Sequence, residues 1–99
     1  MMVRVWEYDV PEDSVADFER VYGADGAWAK LFSSSEGFEG TELFVSLSRP
    51  GHYLTVDRFQ DEASWRRFQT DHRDAYLELD AASEGFTVSE RELAGPDVG

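Results

Sequence analysis

The 99 residues contain two histidines. His72 stands four residues before Tyr76, a spacing that stacks two side chains on one face of a helix. An imidazole titrates near neutral pH without help, whereas a buried carboxyl such as Glu7 would first need its pKa raised by loss of water. His72 is therefore read as a general base, Tyr76 as the group that orients a substrate or steadies an oxyanion, and Glu7 as a second acid–base candidate. The same pattern allows a plainer role, since a histidine on an apolar helix stripe can simply fill the core. His52, beside "RPG", can equally be a turn residue.

Those groups need elements to bring them together. Residues 2–10 alternate as a strand requires, with Val3, Val5 and Glu7 on one side and Arg4, Trp6 and Tyr8 on the other. Pro11, Glu12 and Asp13 suit a helix start, and Val15, Phe18 and Tyr22 recur at helical spacing. Gly23 and Gly26 interrupt that helix before a second apolar turn through Trp28, Leu31 and Phe32. Thr41, Leu43, Val45 and Leu47 mark a second strand. Pro50–Gly51 fits the centre of a type II turn, leading to "HYLTVDRF" as the third strand. Asp61 caps a helix with the stripe Trp65, Phe68, His72, Tyr76, Leu79, expected to reach Ala82. A last strand follows from Phe86 to Leu93.

The order strand, helix, strand, strand, helix, strand predicts one α+β domain over residues 1–99. It has a ferredoxin-like βαββαβ arrangement, with an antiparallel sheet ordered 4-1-3-2 and both helices on one face. The rows Val3, Val5; Leu43, Val45, Leu47; Leu54, Val56; and Phe86, Val88 are assigned to the helices. Trp6, Tyr8, Phe44, Tyr53, Thr55, Asp57, Phe59, Thr87, Ser89 and Arg91 are assigned to the opposite face. So many rings on an open sheet call for a cover, and a second copy of the chain is the simplest one. Antiparallel pairing brings Glu7 beside His52, both expected to point toward the helices. There His72 and Tyr76 from the second helix, and Phe18 and Tyr22 from the first, would line an aromatic pocket with Trp65 and Phe68.

Composition limits the partners. A net charge of −12 repels phosphate backbones and anionic lipid, so nucleic acid and membrane surfaces are not expected ligands. With no cysteine and two histidines, no spacing supplies three neutral metal ligands. The first ten residues carry charges and no continuous apolar run, which predicts neither a signal peptide nor a membrane span and leaves a cytoplasmic address.

"YGADGAWAKLF", "GFEGTELF", "YLTVDRF" and "SWRRF" resemble, in order and spacing, the antibiotic biosynthesis monooxygenase-type members of the dimeric α+β barrel superfamily, over residues 3–93. The resemblance implies a barrel made by two sheets in a homodimer and a pocket between each sheet and its helices. It also implies a cofactor-independent oxygenase of an aromatic or quinol-like small molecule. Haem-degrading relatives use an asparagine on the first strand, and a tryptophan and a histidine on the second helix. Those positions fall here at Glu7, near Phe68 and near Glu78, and none matches. The same scaffold also allows a non-enzymatic dimer that binds a hydrophobic ligand or serves as a stress-related accessory, and an isomerase or cyclase using one base and one oxyanion donor.

Overall fold

The computed structural model describes residues 1–96. Four strands, β1 (Met2–Asp9), β2 (Phe38–Val45), β3 (His52–Phe59) and β4 (Ser89–Ala94), form one sheet in the order β2-β3-β1-β4. All neighbouring strands are antiparallel. This is the expected order read from the other edge. The covering helices are α1 (Val15–Tyr22), α2 (Ala27–Phe32), α3 (Glu62–Asp71) and α4 (Arg73–Ser83). No helix of the described residues is long and apolar enough to cross a membrane.

Local signals set the element ends. Asp61 Oδ1 accepts the Ser64 backbone N–H and the Ser64 hydroxyl, each at 2.8 Å, which satisfies donors that the first turn of α3 would otherwise leave open. That hydrogen bonding holds the Asp61 carboxyl below its usual pKa. Between β2 and β3, Gly51 adopts φ +79° after Pro50, and the His52 N–H bonds the Arg49 carbonyl at 3.1 Å. This is the type II geometry that needs glycine at its second central position.

The second long helix departs from expectation. Instead of running unbroken to Ala82, it breaks at His72, whose φ −124° and ψ 26° are not helical. The His72 ring stays stacked on Phe68 at 5.4 Å, and α4 sets off in a new direction with the Tyr76 N–H bonded to the His72 carbonyl. That redirection brings the Tyr76 ring edge-on to Trp28 at 5.1 Å. The last strand starts later than expected, because Phe86 ends a 3₁₀ turn over Glu84–Phe86 and packs against the core.

A larger correction concerns the two central strands. The helices cover Met2, Arg4, Trp6 and Tyr8 of β1, and Tyr53, Thr55, Asp57 and Phe59 of β3; apart from the half-buried Trp6, all of them are buried. Val3, Val5, Leu54 and Val56 lie on the open face, where Val5 pairs with Val56. The expected assignment of these two strands was therefore inverted. For the edge strands, Leu43 packs against the core and exposed Phe44 turns to the open face as expected, whereas Val45, Leu47 and Val88, also assigned to the helices, are exposed at the sheet edges. The physical reason lies in the helices, whose inward stripes are themselves aromatic.

Phe59 meets Phe32, Trp65 and Phe68 with centroids 5.7, 5.3 and 6.2 Å away, and Tyr8 and Tyr53 meet Phe18 at 5.2 and 4.9 Å. Rings bury more surface than valines and gain extra energy from edge-to-face contact, so a ring-on-ring core outweighs an aliphatic one. The rings thus need no second molecule to cover them.

Candidate functional site

Two adjoining cavities open between the sheet and its helices, and Arg4, Trp6 and Tyr76 belong to both. The inner one encloses about 50 Å³, room for a water molecule or two. Its floor is Tyr8, Thr55 and Asp57 from the central strands, and Tyr22, Trp28 and Tyr76 roof it from three helices. The outer one encloses about 260 Å³.

The strand register assembles the polar floor. Arg4 pairs with Asp57 across β1 and β3, and Thr41 pairs with Asp57 across β2 and β3, so three polar side chains converge beneath the helices. The Thr41 hydroxyl donates to Asp57 Oδ1 at 2.7 Å, and Arg4 Nη1 lies 3.7 Å from Asp57 Oδ2. Burial pushes the Asp57 pKa up, and the Thr41 hydrogen bond and the Arg4 charge only partly oppose that rise. A carboxyl so placed holds its proton to a higher pH than a surface aspartate does. Burial also keeps Tyr8 and Tyr22 protonated, with Tyr22 pushed up to about 12. The Tyr8 hydroxyl and Thr55 Oγ1 are 3.2 Å apart.

Two indole nitrogens in the inner cavity wall, Trp6 Nε1 and Trp28 Nε1, are buried and have no hydrogen-bond partner. A buried N–H left unpaired costs about 1–3 kcal/mol; Trp6 Nε1 is a donor waiting for an acceptor, whereas Trp28 Nε1 lies near enough to the Tyr22 hydroxyl to favour its ionised form. At one edge of the cavity Asp80 faces Glu90, whose carboxyl is pushed up by burial and then by the charges of Asp80 and Glu84.

A sheet of this order with its pocket beneath the helices has a recognised sequence counterpart: the model of the family described as antibiotic biosynthesis monooxygenase matches residues 1–79. The chain belongs to the antibiotic biosynthesis monooxygenase family. Among solved structures, it is similar to the N63A mutant of SnoaB, a cofactor-independent oxygenase from Streptomyces nogalater, with 18% identity and a TM-score of 0.73 over 98% of this chain and 94% of that one. A protein from Nitrosomonas europaea assigned to antibiotic biosynthesis monooxygenases shares 11% identity, with a TM-score of 0.69 and complete coverage of both chains. One from Deinococcus radiodurans shares 15%, with a TM-score of 0.63 over 100% of this chain and 97% of that one. At these identities the likeness carries the fold. No curated protein matches the chain.

In this family member the residues singled out from sequence are dispersed. Tyr22 and Tyr76 line the inner cavity and Trp65 the outer one. Phe18 and Phe68 are packed into the core with 0% and 1% exposure. His72, at the break between α3 and α4, has its Nε2 3.4 Å from Ser34 Oγ and lies outside both cavities. Glu7 and His52 do not point toward the helices: they share the open face with Asp9, and His52 Nε2 lies 3.3 Å from Glu7 and Nδ1 3.1 Å from Asp9. Arg91 also pairs with Glu7 there. The inverted row assignment carried both residues to the wrong side.

Sequence reasoning missed Arg4, Thr41, Trp28 and Glu90 as cavity residues, and placed Asp57 on the uncovered face. A signal existed in the alternation itself. Arg4 shares its row with Trp6 and Tyr8, and Asp57 shares its row with Phe59, so charge and rings travel together along both strands.

Proposed function

We propose that the chain is a cofactor-independent monooxygenase of an aromatic, quinol-like small molecule, with the cavities beneath the helices as its active site. The observation that carries this reading is a shared lining: Asp57, a buried carboxyl with a raised pKa, and the indoles of Trp6 and Trp28 border one aromatic cavity. Asp57 replaces His72 as the general base.

In this reading Asp57 removes a hydroxyl proton from a hydroquinone. Trp6 and Trp28 then donate hydrogen bonds to the oxyanion that results, and the protonated Tyr8 adds polarity without competing for the proton. The electron-rich ring carbon next to that oxygen joins dioxygen as a hydroperoxide. Loss of water from the hydroperoxide leaves a new carbonyl, so a hydroquinone and dioxygen give a hydroxyquinone and water. The substrate supplies all four electrons that reduce dioxygen. Membership of the monooxygenase family and a fold shared with the oxygenase SnoaB support this assignment.

The same reading joins two chains through the open face. Val3, Val5, Leu54, Val56 and the exposed Phe44 make an apolar patch there, the kind of surface a twofold partner buries. Oxygen uptake with a panel of polycyclic hydroquinones tests the chemistry. Trp28→Phe, which keeps the ring and removes the N–H, is expected to lower kcat about 10–100-fold with KM little changed. An unchanged kcat removes the oxyanion role, and no uptake with any hydroquinone removes the oxygenase reading.

A further inference from the structure

Arg4 is 6% exposed, and its ion pairs, 3.7 Å to Asp57 and 3.8 Å to Glu92, are both too long for hydrogen bonds. A guanidinium carries five N–H donors, and this one meets no acceptor at hydrogen-bonding distance among the described residues. Its carbon lies 4.0 Å from the centre of the Trp65 ring and 5.8 Å from that of Trp6. Stacking on an indole fixes the plane of the guanidinium and leaves its in-plane donors pointing outward along the fork that matches a carboxylate. The donors stand at the boundary between the two cavities.

The outer cavity continues that chemistry. Arg66 and Gln69 line it from α3, with Trp65 beneath and Glu92 at the β4 side. Both guanidinium groups already face carboxylates: Arg66 is paired with Glu62 along α3, and Arg4 lies between Asp57 and Glu92. A ligand carboxylate would therefore bind by taking the place of Glu92 at Arg4 and of Glu62 at Arg66.

From this geometry we infer that the substrate is an aromatic acid, whose reacting ring occupies the inner cavity while its carboxylate is held in the outer one by Arg4 and Arg66. The inference rests on the oxygenase reading for the identity of the ring site, and adds the charged group and the residues that select it. Glu92 is the built-in competitor, since its carboxylate is directed at Arg4 from a distance that a bound carboxylate would shorten. Trp65 positions Arg4.

Isothermal titration calorimetry with 2-naphthoate and the neutral 2-naphthamide tests the inference without turnover. The carboxylate is expected to bind at least about tenfold tighter than the amide, consistent with one charge-assisted bidentate contact. Arg66→Gln should shrink that preference severalfold. Glu92→Gln should tighten 2-naphthoate severalfold and leave 2-naphthamide unchanged. Both positions are on partly exposed side chains, so neither result depends on whether an Arg4 variant folds.

Equal binding of the two probes, no binding of either, or a preference that neither variant moves overturns the assignment. Oxygen uptake by neutral hydroquinones alongside equal probe binding would remove the carboxylate site and leave the oxygenase standing. Selective 2-naphthoate binding with no uptake from any hydroquinone would do the reverse.

Discussion

Phe59, on the helix-covered side of β3, is wholly buried among four aromatic side chains, whereas Val56, three residues earlier, faces outward on the uncovered side opposite Val5. The covered side mixes rings with an arginine, an aspartate and two threonines. The uncovered side is mainly aliphatic at its centre and becomes an ion-pair cluster at the His52 end. In this protein the greasier-looking alternation is thus the surface, and the more polar one is the interior. Hydrophobic side chains of either kind satisfy a strand's alternation, but only large rings reach the aromatic stripes of the helices.

Changes on each side should separate the two roles. The largest expected effect is from Asp57→Asn, which keeps the shape and removes the base: oxygen uptake should fall about 10²–10⁴-fold. A fall of less than tenfold would assign the base elsewhere. Phe59→Ala should lower stability by about 3–5 kcal/mol in urea unfolding, because the rings around it cannot collapse into the space left behind. A loss below 1 kcal/mol would contradict the ring-on-ring core.

On the other side, Val56→Asp should leave the circular dichroism of the chain unchanged and weaken self-association at least about 100-fold by light scattering, since it would bury an unpaired carboxylate between two sheets. A wild-type chain that is already monomeric at micromolar concentration would end the two-chain reading.

Thr41→Val has the smallest expected effect and sharpens the polar floor. The activity of a carboxylate base is lost as pH falls through its pKa, and burial sets that limb above the ordinary aspartate value of 3.8. The Thr41 hydrogen bond favours the charged form and lowers the pKa, so removing it should move the acid limb of kcat/KM upward. A limb that stays put would show that Asp57 does not govern the rate.

How much of this was legible in the sequence depends on the range of the signal. The Asp61 cap, the Pro50–Gly51 turn, the glycine break between α1 and α2 and the strand order all follow from residues within a few positions of one another, or from the succession of elements. The inner face of β1 and β3 does not, because it is decided by which helix side chains lie above, a contact between distant parts of the chain. The break at His72 was hidden because its apolar spacing continues evenly from Trp65 to Leu79 on both sides of the bend. Tyr22, Tyr76 and Trp65 were found because ring stripes mark the helices. The pairing of Arg4 with Asp57 becomes visible only when the register of β1 against β3 is known.

That bend has a mechanical meaning for the cavity. About 50 Å³ of inner space cannot take a ring as it stands, and one of the three helices that roof it, α4, joins α3 at the non-helical His72. Trp65 and Phe68 hold α3 deep in the aromatic packing, while α4, from Arg73 to Ser83, places Tyr76 and Asp80 at the cavity and packs through the partly buried Tyr76 and Leu79 and the buried Ser83. On the oxygenase reading, a ring would enter only if α4 shifted at its His72 junction and carried Tyr76 and Asp80 with it, while the strand floor of Tyr8, Thr55 and Asp57 stayed in place.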